Sequence, residues 1–174
     1  MQRLLAALLA TLLAVPMATA GALTGTFASI DGGTLSLEDW RGRPVLVTNT
    51  ASRCAFTRQY DELQALYDRY RDRGLVVLAV PSNDFRQELA TAEEVKDFCE
   101  VNFGLDIPMT DITSVRGETA HPFYRALKAE TDFEPSWNFN KVLIGGDGHF
   151  VAAWGPTVRP DAGPIVERIE ALIE

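Results

Sequence analysis

The sequence predicts one α/β domain built on a mixed sheet, and three observations predict it. Two short β-branched apolar runs flank a helical repeat. Two glycine-containing turn signals each sit between strand-like runs. An amphipathic stretch closes the chain. Its 174 residues suit one domain, and 47% of them are apolar, enough for a single core without structural metal. There is no internal repeat, low-complexity stretch or linker.

The elements follow in order. Thr24–Ile30 and Thr34–Leu37 flank Asp31-Gly32-Gly33 and read as a β-hairpin. Pro44–Asn49 reads as a buried strand. From Gln59 to Arg73, Tyr60, Leu63, Leu66, Tyr67 and Tyr70 recur at helical spacing, and Gly74 closes that helix. Leu75–Val80 is a second buried strand, ended by Pro81. Thr91 and Glu94 form a capping box for a helix whose apolar face is Val95, Phe98, Cys99 and Val101, ended by Phe103-Gly104. Pro122 opens a further helix running to about Ala129. Lys141–Ile144 and Phe150–Trp154 flank Gly145-Gly146-Asp147-Gly148 as a second hairpin, and Ile165–Ile173 is the last helix. Strand–helix–strand implies a parallel pair with a right-handed crossover, and the late hairpin makes the sheet mixed. The whole pattern suits a thioredoxin-like α/β fold, with helices flanking a mixed central sheet.

Residues 1–20 differ in kind. Arg3 is followed by an apolar run from Leu4 to Val15, broken only by Thr11, and then by Ala18-Thr19-Ala20. This is the layout of a secretory signal peptide, with an apolar run too short to span a bilayer. The expected mature domain is therefore 21–174, secreted and periplasmic, with no membrane attachment after cleavage. The formal net charge of −8, which becomes −9 on loss of Arg3, argues against a nucleic-acid surface.

Cys54 falls in the loop between the first buried strand and its helix, flanked by Arg53 and Arg58. A helix N-terminus offers free N–H groups and partial positive charge, which favour a thiolate, the nucleophilic form. Thr57 stands three residues on, so there is no Cys-x-x-Cys dithiol. The spacing of cysteines and histidines suggests no metal site and no cofactor. His121 is expected to cap or pack, and His149 to be solvated. The alternative to a nucleophilic role is that Cys54 is a small core residue.

Several segments then point to a family. Asn49-Thr50-Ala51-Ser52-Arg53-Cys54-Ala55-Phe56-Thr57 resembles the active-site segment of glutathione peroxidases. Val80-Pro81-Ser82-Asn83-Asp84-Phe85-Arg86-Gln87-Glu88, Ala120-His121-Pro122 and Trp137-Asn138-Phe139-Asn140-Lys141 resemble further family motifs, in order and at compatible spacing. The resemblance implies a thiol peroxidase with a catalytic tetrad of Cys54, Gln87, Trp137 and Asn138. Cys54 would attack a hydroperoxide and become a sulfenic acid, while the other three donate hydrogen bonds. Departures are Ala55 for a frequent Gly, Ser82 where many relatives have Cys, Asp84 where most have Gln, and a Phe85-Arg86-Gln87 segment one residue short. Cys99 lies near the place where relatives reduced by thioredoxin keep a resolving thiol. It is expected to form a disulfide with Cys54, although a buried inert thiol or a fixed bridge also fits the residues. The implied reductant is a thioredoxin-like protein or glutathione. The short stretch between Ala129 and Trp137 implies a monomer, because tetrameric relatives carry a longer loop there. Rival functions are a thiol sensor and a binding or assembly protein.

Overall fold

Leu46 and its neighbours Val45 and Val47 point to opposite faces of a strand, and both faces are buried. That alternation organises the computed structural model, which describes residues 22–173. The proposed signal peptide lies outside the described residues.

The elements are β1 (Thr26–Ala28), β2 (Thr34–Ser36), β3 (Val45–Thr50), α1 (Gln59–Tyr70), β4 (Val76–Pro81), α2 (Ala92–Phe103), α3 (Pro122–Thr131), β5 (Lys141–Ile144), β6 (Phe150–Trp154) and α4 (Gly163–Glu170). The central sheet runs β4-β3-β5-β6. β3 and β4 are parallel, joined through α1, and the other pairings are antiparallel. This is the mixed sheet that the order of elements predicts. The first hairpin forms its own two-stranded sheet. Residues 108–110 tie it to the β4 edge: Ala79 N–H donates to Pro108, Thr110 N–H to Ala79, and Ile30 N–H to Met109.

One face of the sheet (Leu46, Val77, Ala79, Leu143) packs under Tyr60, Leu63 and Leu66 of α1, Val95 and Cys99 of α2, and Ile165 and Ile169 of α4. The other face (Val45, Val47, Leu78, Val142) packs against Phe27 and against Phe123, Tyr124 and Leu127 of α3. Strands buried on both faces read as continuous apolar runs, which is why β3 and β4 were legible as such.

The helix ends follow the expected caps. Thr91 and Glu94 form the capping box, and Gly104 closes α2 at φ 59°. Gly74 stops the α1 segment at φ 103° after one 3-10 turn. Two details differ from expectation. Val101 is 83% exposed, because two residues on from Cys99 a helix has turned about 200° away from the core. α4 begins at Gly163 and ends at Glu170 rather than spanning Ile165–Ile173. Pro164 occupies its first turn, and Ile173 packs into the core beyond the helix end.

Candidate active site

β3 delivers its C-terminal end to the site. Ala51 and Ser52 remain buried, Arg53 turns outward, and Cys54 is buried with a free thiol. The chain coils from this point: Phe56 N–H donates to the Cys54 sulfur at 3.5 Å, and Thr57 N–H donates to the Cys54 carbonyl at 3.2 Å. α1 begins two residues after Thr57. The cysteine therefore occupies the strand-to-helix loop that its sequence position implies.

A second loop is fastened to this one. Arg53 N–H donates to the Gln87 carbonyl at 2.8 Å, and Ser52 N–H donates to Glu88 Oε1 at 2.9 Å. Asn138 Nδ2 donates to Gln87 Oε1 at 2.9 Å. The loop that is one residue short reaches this position because Arg86 takes a left-handed conformation, φ 57°. That costs a non-glycine residue about 1 kcal/mol, and such strain concentrates at functional sites.

The third segment is held by Asn49. Its Nδ2 donates to the Trp137 carbonyl at 2.9 Å, its Oδ1 accepts from Asn140 N–H at 3.1 Å, and its carbonyl accepts from Phe139 N–H at 2.6 Å. Asn140 Nδ2 also donates to the Trp137 carbonyl. Phe139 is left-handed at φ 63°. This bend separates a fully buried Asn138 from a Trp137 that is 39% exposed. The Trp137 ring lies 5.3 Å from Phe85, with the Arg116 guanidinium over the far partner at 5.2 Å. Trp137 is thus a surface aromatic and not a core residue. Asn138 Oδ1 is buried without a partner, at a cost of about 1–3 kcal/mol.

The structure therefore joins Gln87 to Asn138 directly, ties Cys54's loop to Gln87 through the backbone, and sets Trp137 beside Asn138. Cys99 stands apart. It lies on α2, 1% exposed, with a free thiol that burial pushes up to about 12. It shares a core cluster with Cys54 and forms part of the wall of a pocket of about 280 Å³. His121 caps α3 through Nδ1 to Phe123 N–H and stacks on Phe27 at 4.0 Å. His149 is half-buried in the β5–β6 turn.

Four residues acquire roles that sequence reasoning missed. Asn49 organises the Trp137–Asn140 bend. Glu88, 5% exposed, accepts from Ser52 and Leu89 N–H groups, and burial raises its carboxyl above the ordinary range. Asp84 accepts from Val115 N–H at 2.6 Å and Arg116 N–H at 3.1 Å, pinning the loop that carries Arg116. Lys141, fully buried, donates to Gln59 Oε1 and to the carbonyls of Val158 (2.7 Å) and Pro156 (3.5 Å). An ammonium has three donors, so this one is fully used. It fastens the first residue of α1 to the start of β5. The available signal was a charged residue at the head of an otherwise apolar strand run.

Among the described residues, no group of three His, Cys, Asp or Glu side chains could hold a metal ion. No helix among them is long and apolar enough to cross a membrane.

A family model described as glutathione peroxidase matches residues 23–128. The chain is 39% identical over 149 residues to a glutathione peroxidase of Lactococcus lactis subsp. cremoris, covering 83% of this chain and 94% of that one. It is 36% identical over 136 residues to a glutathione peroxidase-like peroxiredoxin of Schizosaccharomyces pombe, covering 75% and 86%. A thioredoxin-family thiol:disulfide interchange protein of Chlorobium tepidum superposes with a TM-score of 0.65 over 88% of this chain and 95% of that one. At 17% identity this shows the thioredoxin-like fold alone.

Proposed function

The chain belongs to the glutathione peroxidase family and is a thiol peroxidase that reduces hydroperoxides; from that premise we propose that Cys54 carries the reaction, served by Gln87, Trp137 and Asn138. The observation that supports this most is the hydrogen bond between buried Asn138 and Gln87, whose own carbonyl receives Arg53 N–H beside the nucleophile. The Cys54 thiolate attacks one peroxide oxygen and the O–O bond breaks. Sulfur keeps that oxygen as a sulfenic acid, and the other oxygen leaves as water or alcohol after taking up a proton. The side-chain amides and the indole N–H stabilise the leaving oxygen without changing protonation state.

Cys99 then resolves the sulfenic acid as a disulfide, which a thioredoxin-like protein or glutathione reduces. The likeness to a protein described as a peroxiredoxin supports a thiol reductant. Because Cys99 is buried on α2, its turn of helix must open for the two Cα atoms to come within about 7 Å. Residues 1–20 direct export and are removed, leaving a mature chain that begins at Gly21. Intact mass of the exported protein checks this, and a retained leader would refute it.

The test is peroxide consumption by wild type, Cys54→Ser and Cys99→Ser, each with thioredoxin plus its reductase or with glutathione. Cys54→Ser is expected to be inactive with both reductants, and Cys99→Ser to fail with thioredoxin. Turnover by Cys54→Ser would overturn the assignment of the nucleophile.

A further inference from the structure

Two consecutive backbone N–H groups just before Cys54 are bonded to two consecutive residues of the next loop. Arg53 N–H donates to the Gln87 carbonyl at 2.8 Å, and Ser52 N–H donates to Glu88 Oε1 at 2.9 Å. The same Glu88 oxygen receives Leu89 N–H at 2.8 Å, so it bridges the Cys54 loop and its own loop. Asn83 closes the turn from the other side. It takes Arg86 N–H on its carbonyl at 2.8 Å and Glu88 N–H on Oδ1 at 3.3 Å. Gln87 stands between this clasp and the left-handed Arg86, and its Oε1 accepts from Asn138. A strained residue keeps its conformation only where neighbouring contacts over-determine it.

Of these contacts only the one through Glu88 is ionisable. Glu88 is 5% exposed, and its Oε2 is buried with no partner. A glutamine amide would offer the same two N–H groups an oxygen without burying a charge, so packing alone does not call for a carboxylate here. What the charge adds is strength, since an ionised acceptor makes hydrogen bonds about twice as strong as a neutral one. The ionisable groups that face Glu88 are Arg53 beside Cys54, Tyr60 of α1 and Cys99 of α2. Burial pushes the Tyr60 phenol well above its ordinary value and the Cys99 thiol up to about 12, so both are neutral at pH 8 and below. Burial also raises the Glu88 carboxyl above its ordinary 4.5.

We propose that Glu88 is a positioning residue for peroxide reduction: its carboxylate clasps the Gln87 loop to the Cys54 loop and so holds the Gln87 amide where it donates to the leaving oxygen. The inference rests on the reading of Gln87 as one of the donors, and Glu88 acts through it. Protonation of Glu88 leaves both hydrogen bonds with a neutral acceptor, weakens the clasp against the strain at Arg86 and releases Gln87. The fast form is therefore present while Glu88 is ionised and is lost as pH falls through its raised value.

The experiment mixes the reduced protein with one equivalent of hydrogen peroxide, without reductant, and follows peroxide loss from pH 8 to pH 4.5. Wild type, Glu88→Gln, Gln87→Ala and the double variant are compared. Glu88→Gln keeps an oxygen for both N–H groups and drops the charge. Gln87→Ala removes the side chain and keeps the carbonyl that receives Arg53 N–H. At pH 8 Glu88→Gln is expected to be about tenfold slower than wild type. In the Gln87→Ala background the same change is expected to have an effect of less than about twofold. A clasp that served only the fold would slow both backgrounds alike. The ratio of wild type to Gln87→Ala cancels the ionisation of Cys54 itself. It is expected to fall about twofold or more by pH 4.5, where a carboxyl raised above 4.5 is more than half protonated. That ratio needs no change at Glu88, so it serves as the test if Glu88→Gln does not fold. A Glu88→Gln rate within twofold of wild type, equal losses in the two backgrounds, or a ratio flat with pH overturns the inference. If Gln87→Ala alone keeps the wild-type rate, Gln87 is not a donor in the site, and the reading beneath the inference has failed along with it.

Discussion

At the scale of single residues the site depends on polar side chains whose partners are distant in sequence. Asn138 is fully buried and spends its Nδ2 on Gln87 while Oδ1 has no partner. Asn138→Ala removes one donor and frees the Gln87 side chain. We expect kcat/KM for peroxide to fall about 10²-fold in steady-state assays, the scale of losing one preorganised donor. Lys141 makes a pH prediction. Burial lowers its ammonium from 10.5 to about 8, with Glu62 of α1 opposing that shift. Glu62 is itself paired with Arg159, and Asp161 lies beside that pair. Between those two pH values the folded chain binds fewer protons at this group than the unfolded chain. The stability it contributes is full above 10.5 and is lost as pH falls through 8. Urea unfolding of wild type relative to Lys141→Met should therefore gain about 1–3 kcal/mol between pH 7.5 and pH 10. A flat difference would mean that the three acceptors hold the ammonium charged throughout.

At the scale of elements, turns set where the strands deliver their residues. The β5–β6 turn rests on the turn before β3, with Gly42 N–H donating to the Gly146 carbonyl at 2.8 Å. A Cβ on Gly146 would meet the Gly42 carbonyl carbon at 2.8 Å, its oxygen at 3.0 Å and Arg43 N at 3.1 Å, all backbone atoms. Gly146→Ala should destabilise the protein by about 1–3 kcal/mol in chemical denaturation, since backbone cannot turn aside as a side chain does. The elements themselves were legible in the sequence. α2 carries its capping box at Thr91 and Glu94 and its stop at Gly104, and these are local chemistry. The left-handed turns at Arg86 and Phe139 were not legible, because neither residue type favours that conformation. Contacts made elsewhere in the fold hold them there.

At the scale of the molecule, one sheet carries two cores, and both abut the site-bearing strands. Leu46 is fully buried under α1, α2 and α4, near the start of β3, the strand that leads to Cys54. Leu46→Ala should cost about 2–5 kcal/mol. Trp40 packs against one core and Trp154 against the other, so fluorescence and circular dichroism should report a single shared transition. Separate transitions would mean that the two faces unfold independently.

The sequence by itself determined the fold class and the order of elements, and its motifs name the residues that we propose carry the reaction. These are written in periodicity, in local cap and turn chemistry, and in short motifs. The tertiary structure alone decided what fastens those motifs together. Asn49 reaches residues 137–140, Glu88 reaches Ser52, and Lys141 reaches Gln59, each across 36 or more positions of the chain. A polar side chain in an apolar setting has no visible purpose until folding removes water from it and leaves one partner within reach. For Glu88 that partner belongs to the loop that holds Cys54, and for Lys141 to the helix that follows it.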